Sequence, residues 1–158
     1  MDGAAENIEK KSPQPKQSDH NGSFFFLCLV FCAALLLDQL TKHFAPRPFL
    51  NYNFAFSLPV PVALIYVIYF LIMAAMVYYV AKNRRAFNFS SKFAWTLIFA
   101  GAVSNIGERI VLGHVRDFIY ITFYKWTGVY NLADGYIIAG IILLILLSTN
   151  RKQSNDEN

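Results

Sequence analysis

The sequence predicts an all-α membrane protein: four transmembrane helices with a small extracytoplasmic β-sheet. Three observations carry that expectation. The chain is 56% hydrophobic and only 15% charged, against roughly 25% charge in ordinary soluble domains. Its apolar residues are gathered into four long runs, each near the ~20 residues a helix needs to cross the hydrocarbon core. The runs are continuous rather than alternating, which favours helices over a closed barrel.

The 158 residues suit one domain. Residues 1–22 are polar and rich in Lys, Gln, Ser, Asn and Pro, and read as a disordered cytoplasmic tail. They lack the short basic start and small-residue cleavage pattern of a removed signal peptide, so the helix that follows is expected to be retained. It runs from Ser23 towards Ala45 and carries Cys28 and Cys32 on one face, read as small apolar packing residues. Pro46 and Pro48 break it.

Alternation of polar and apolar residues over 49–58 predicts a short strand. The second span covers Pro59 to Ala81, and the third runs from about Phe93 to Gly113. The β-branched and aromatic stretch from Val115 to Phe123 predicts another strand. The fourth span covers Leu132 to Thr149, and residues 151–158 form a polar C-terminal tail. The two strands are expected to form one small sheet on the membrane surface, flanked by interfacial Tyr, Trp and Phe.

Charge placement sets the orientation. Nine basic residues (Lys10, Lys11, Lys16, Lys82, Arg84, Arg85, Lys92, Arg151 and Lys152) fall on one side of the predicted spans. The other side carries five: Lys42, Arg47, Arg109, Arg116 and Lys125. The positive-inside rule then puts both termini in the cytoplasm and the segments near 38–58 and 109–133 on the outer side.

Ionisable groups near hydrocarbon are costly and invite a functional reading. Asp38 and Lys42 stand i,i+4 in the first helix, as a simple interfacial ion pair also would. Asn105, Glu108 and Arg109 share a stripe of the third, which a plain helix–helix hydrogen-bond network would equally explain. Asp117 follows in the second predicted strand, where it could be an exposed loop acid. Asn131 and Asp134 match a helix start, with Asn as N-cap and an acid at N3. His114 reads as an interfacial surface residue.

All these clusters converge on one side of the membrane. Two carboxylates from different elements can share a proton. The ionised member activates water and the protonated one donates to an amide carbonyl, with no metal, cofactor or covalent intermediate required. A proton- or ion-coupled carrier is the competing reading, but its acids should sit near the bilayer midplane on broken helices.

The ordered set Asp38-Gln39-Leu40-Thr41-Lys42, Asn51 with Ala55-Phe56-Ser57, Asn105 with Arg109, Gly113-His114-Val115-Arg116-Asp117-Phe118-Ile119 and Asn131-Leu132-Ala133-Asp134 resembles the lipoprotein signal peptidases (signal peptidase II). The resemblance covers roughly residues 24–149. It implies a membrane aspartic endopeptidase of the bacterial inner membrane that cleaves prolipoproteins just before a diacylglyceryl-modified cysteine. Asp117 and Asp134 would be catalytic, and Asn51, Asn105, Arg109 and Asn131 would line the substrate site. Asp38, Lys42 and Glu108 would support it, within a four-helix peptidase domain spanning residues 23–150.

The resemblance further implies inhibition by globomycin-type cyclic peptides. Contact with membrane phospholipid, a monomeric state and no nucleic-acid partner are expected besides. Glu108 stands where the family usually has Asp, and Ser104 and Asn53 where it usually has Gly.

Overall fold

The computed structural model describes residues 20–52 and 61–156. The tail before His20 lies outside them, as do Asn53, the Ala55-Phe56-Ser57 segment and Pro59. The described residues form four helices: α1 (His20–Phe44), α2 (Val62–Asn83), α3 (Phe89–Leu112) and α4 (Leu132–Asp156). Four short strands join them: β1 (Phe49–Asn51), β2 (Val115–Asp117), β3 (Ile119–Phe123) and β4 (Trp126–Tyr130).

α1, α2 and α4 are each long and apolar enough to cross a membrane. α3 is equally long, with 24 residues, but Ser104, Asn105, Glu108 and Arg109 occupy its last three turns. α4 continues to Asp156, beyond the expected end at Thr149 and into the polar tail.

Burial runs opposite to that of a water-soluble protein. Lys42, Asn131 and Asp38 are the largest fully buried side chains, while Phe24, Phe25, Phe70 and Val111 are among the many exposed apolar ones. Such an inversion suits a molecule whose solvent is hydrocarbon, because polar groups must then satisfy one another inside. Cys28 and Cys32 face outward on α1, so they are exposed rather than packed against a neighbouring helix.

α3 is the central helix, packed against α4 and α1. Small residues permit the close approach of α3 and α4. A Cβ at Gly101 would collide with the Ala133 carbonyl oxygen, and one at Gly140 would lie 2.6 Å from the Ala94 oxygen. α2 reaches α3 through large side chains instead: the Tyr66 hydroxyl donates to the Arg109 carbonyl at 2.9 Å, and Tyr79 meets Trp95.

The helix ends are set locally. Asn88 caps α3 by accepting from the Ser91 N–H at 2.8 Å. Gly113, at φ 78°, takes the left-handed conformation that closes α3 and turns the chain into β2.

Instead of the single sheet expected, the described residues form two antiparallel pairs. β1 pairs with β2 (Leu50 opposite Arg116), and β3 pairs with β4 (Phe123 opposite Trp126). The Val115–Phe123 stretch breaks at Phe118, whose N–H turns to the Tyr130 carbonyl at 2.9 Å. The β3–β4 hairpin therefore leaves the chain one residue after Asp117 and returns it at Asn131, directly before α4.

Candidate active site

The first turn of α4 is a reciprocal cap. Asn131 Oδ1 accepts the Asp134 N–H at 3.0 Å, and Asp134 Oδ2 accepts the Asn131 N–H at 3.1 Å. The Asn131 amide has a second use: its Nδ2 donates to Asp117 Oδ1 at 2.6 Å. The other oxygen of each aspartate is also held by an amide. Asn51 Nδ2 donates to Asp117 Oδ2 at 3.0 Å, and Asn105 Nδ2 donates to Asp134 Oδ1 at 2.8 Å. A capping role and a role beside Asp117 are thus compatible for Asn131 and Asp134, although the sequence offered them as alternatives.

Both aspartates open on a cavity of about 570 Å³. Asn51, Asn105, Arg109 and Asn131 line the same cavity, with Trp126, Tyr130, Ile137 and Ile138 giving it apolar walls. Burial pushes the Asp117 carboxyl above its usual range, and the nearby Asp134 charge adds to this. The hydrogen bonds from Asn51 and Asn131, together with the Lys42 charge, oppose the rise.

Arg109 Nη1 donates to the Asn51 carbonyl at 3.2 Å, and its guanidinium lies 5.8 Å from the centre of the Tyr69 ring. Its Nε is a buried donor without an acceptor among the described residues. His114 lies against the Tyr52 ring and does not line the cavity.

Behind this wall is a buried charge network. Lys42 uses all three ammonium protons: on Asp38 Oδ2 at 2.8 Å, Asn105 Oδ1 at 2.8 Å and Glu108 Oε2 at 2.9 Å. Asp38 Oδ1 accepts the Ala133 N–H at 2.9 Å, and its Oδ2 accepts from Ser104 Oγ at 2.6 Å. A carboxylate of α1 thereby satisfies a free donor at the positive end of α4. The Asp38–Lys42 pair is wholly buried, not the exposed i,i+4 contact that its spacing alone also allows.

Gln39, Ser104 and Arg116 belong to the network but were not among the expected site residues. Gln39 and Arg116 lie inside the blocks that carry the resemblance, beside Asp38 and Asp117, and Ser104 stands one turn before Glu108 on the same stripe, but nothing local marks any of them as a member of the network.

The fold and site define a membrane protein whose interior holds a cavity with two amide-clamped aspartates. A family model described as "Signal peptidase (SPase) II" matches residues 40–150, and the chain belongs to the signal peptidase II family. Curated relatives agree. The lipoprotein signal peptidase of Chlamydia trachomatis serovar L2 is 34% identical over 122 residues, covering 72% of this chain and 70% of that protein. The one from Staphylococcus aureus strain JH9 is 32% identical over 93 residues, 56% of each chain. Among solved structures, a bacterial membrane enzyme determined by the in meso method at 2.3 Å superposes with a TM-score of 0.67 at 26% identity, covering 83% of this chain and 91% of the other.

Proposed function

We propose that this peptidase is an aspartic endopeptidase that removes the signal peptide from diacylglyceryl-modified bacterial prolipoproteins, cutting before the lipidated cysteine. The observation that carries this reading is the Asn131 bridge: one amide contacts both aspartates at the rim of a part-apolar cavity.

Asp117 and Asp134 are the catalytic pair. One carboxylate, ionised, takes a proton from water as the water oxygen attacks the scissile carbonyl. The other, protonated, donates to the carbonyl oxygen; as the C–N bond breaks, the first carboxyl passes the water's proton to the leaving amine and the tetrahedral hydroxyl returns a proton to the second. Asn51, Asn105 and Asn131 hold the carboxylates in place. Arg109, which lines the cavity, offers its guanidinium to the substrate backbone, and the apolar cavity wall accommodates the signal peptide. Asp38, Lys42 and Glu108 support this arrangement from behind.

In this reading α3 also crosses the bilayer, its polar turns shielded by α1 and α4, which gives four spans. The distribution of basic residues supports cytoplasmic termini and aspartates near the outer face, in what this reading takes as a bacterial inner membrane. That is the depth at which a lipid anchor would hold the cysteine. The enzyme works as a monomer among phospholipids, and globomycin-type peptides compete for the cavity.

The test is a mobility-shift assay with purified protein in detergent and a diacylglyceryl-modified prolipoprotein. Loss of the signal peptide, blocked by globomycin, is the expected result. Inhibitor binding without cleavage would leave only a binding protein, and neither binding nor cleavage would revive the carrier reading.

A further inference from the structure

Glu108 sits where three elements meet. Its Oε2 accepts from Lys42 Nζ of α1 at 2.9 Å and from the Arg116 backbone N–H of β2 at 3.3 Å. Its Oε1 accepts from Arg116 Nε. Arg116 Nη2 then reaches Gln39 Oε1 of α1 at 3.3 Å. The Glu108 side chain is 1% exposed and that of Arg116 is 21% exposed, so screening by solvent is limited at the carboxylate.

The two ends of this chain of contacts matter. Arg116 is joined by one peptide bond to Asp117. Lys42 continues through Asn105 to Asp134 Oδ1. Because Lys42 occupies the Asn105 oxygen, the Asn105 amide must present its N–H to Asp134. A single carboxylate therefore ties the strand carrying Asp117 to the polar relay holding Asp134.

We propose that Arg116, acting through Glu108, is a positioning residue that sets the placement of Asp117 relative to Asp134. Arg116 fixes β2 by a paired grip, side chain and backbone together, on one buried carboxylate. An aspartate at position 108 would be one methylene too short to hold Lys42 and Arg116 together. The longer Glu108 and the guanidinium of Arg116 thus form one device.

The kinetic part rests on the proposed peptidase activity, and the exchange part does not. Arg116→Met, Glu108→Asp and the double variant would be compared with the unaltered full-length protein in detergent. In each single variant kcat should fall on the order of 10-fold, the scale of a small misplacement of reacting groups, with KM nearly unchanged. The double variant should be no worse than the poorer single one. Arg116→Lys, which restores a donor without the planar fork, should recover part of the loss. Amide exchange at residues 115–117 should quicken in both single variants while residues 98–104 of α3 stay protected.

An unchanged kcat, additive losses, or a lower melting temperature with kcat retained would overturn the proposal. So would unaltered exchange in β2. If the unaltered protein cleaved nothing while β2 exchange still responded, the peptidase reading would fall and the clamp would stand.

Discussion

Asn131 Nδ2 lies 2.6 Å from Asp117 Oδ1, while the oxygen of the same amide caps α4 at Asp134. One side chain therefore does a helix's local work and fixes the relation between two carboxylates. The two roles can be separated. Asn131→Ala should lose both, with about 1 kcal/mol of the stability loss coming from the cap. Asn131→Ser keeps a capping oxygen but cannot donate across to Asp117, so it should regain stability without regaining cleavage. Thermal melts and turnover of the two variants, side by side, check this.

Asp117 makes stability depend on pH. Its carboxyl is shifted upward chiefly by burial, so the folded chain holds that proton more tightly than the unfolded one. The associated stability is fully present below the ordinary aspartate range and is lost as pH rises through the raised value. Asp117→Asn removes the titration. Its melting temperature should therefore gain on that of the unaltered protein from acid to neutral pH. A variant that instead lost ground to the unaltered protein over that range would mean that the amide bonds from Asn51 and Asn131 outweigh burial.

The buried ammonium is the costliest group to remove. Lys42→Met leaves Asp38 and Glu108 without their shared cation, and breaking a buried pair in this way costs about 3–5 kcal/mol. Adding Asp38→Asn to that variant should cost much less than the two changes summed, because the second substitution removes a charge the first left unpaired. Denaturant-monitored stability in detergent measures both.

The glycines of the bundle should divide sharply. Gly101→Ala drives a methyl group into the Ala133 carbonyl, in the turn that carries Asp134. It should cost about 1–3 kcal/mol and impair cleavage. A Cβ at Gly107 meets nothing within 4 Å, so Gly107→Ala in the same helix should be neutral or stabilising by up to about 1 kcal/mol. Similar behaviour of the two would refute the close α3–α4 crossing.

Much of this was legible in the sequence because its signals are local. The apolar runs mark the helices, and the Asn131–Asp134 spacing marks the α4 cap. Asp38 and Lys42 reveal themselves as charges at the end of an apolar run. Their partners do not: Asp38 contacts Ala133 across 95 residues of chain, and nothing in either segment announces the other. β4 escaped notice because the hairpin turn at Tyr124-Lys125 lacks the Asn-Gly type of signal, with Tyr124 itself at φ 54°. Arg116 stood in the sequence only as a basic residue within the block that carries Asp117. Only its placement beside Glu108 gives it a role.

The central claim is that Asp117 and Asp134 act together on a lipidated precursor. The most direct measurement incubates the unaltered protein, Asp117→Asn and Asp134→Asn separately with a diacylglyceryl-modified prolipoprotein and identifies the products by mass spectrometry. The unaltered protein should release a fragment beginning at the lipidated cysteine, and each folded single variant should release none. Retained cleavage in either variant, or a cut elsewhere in the precursor, would contradict the assignment.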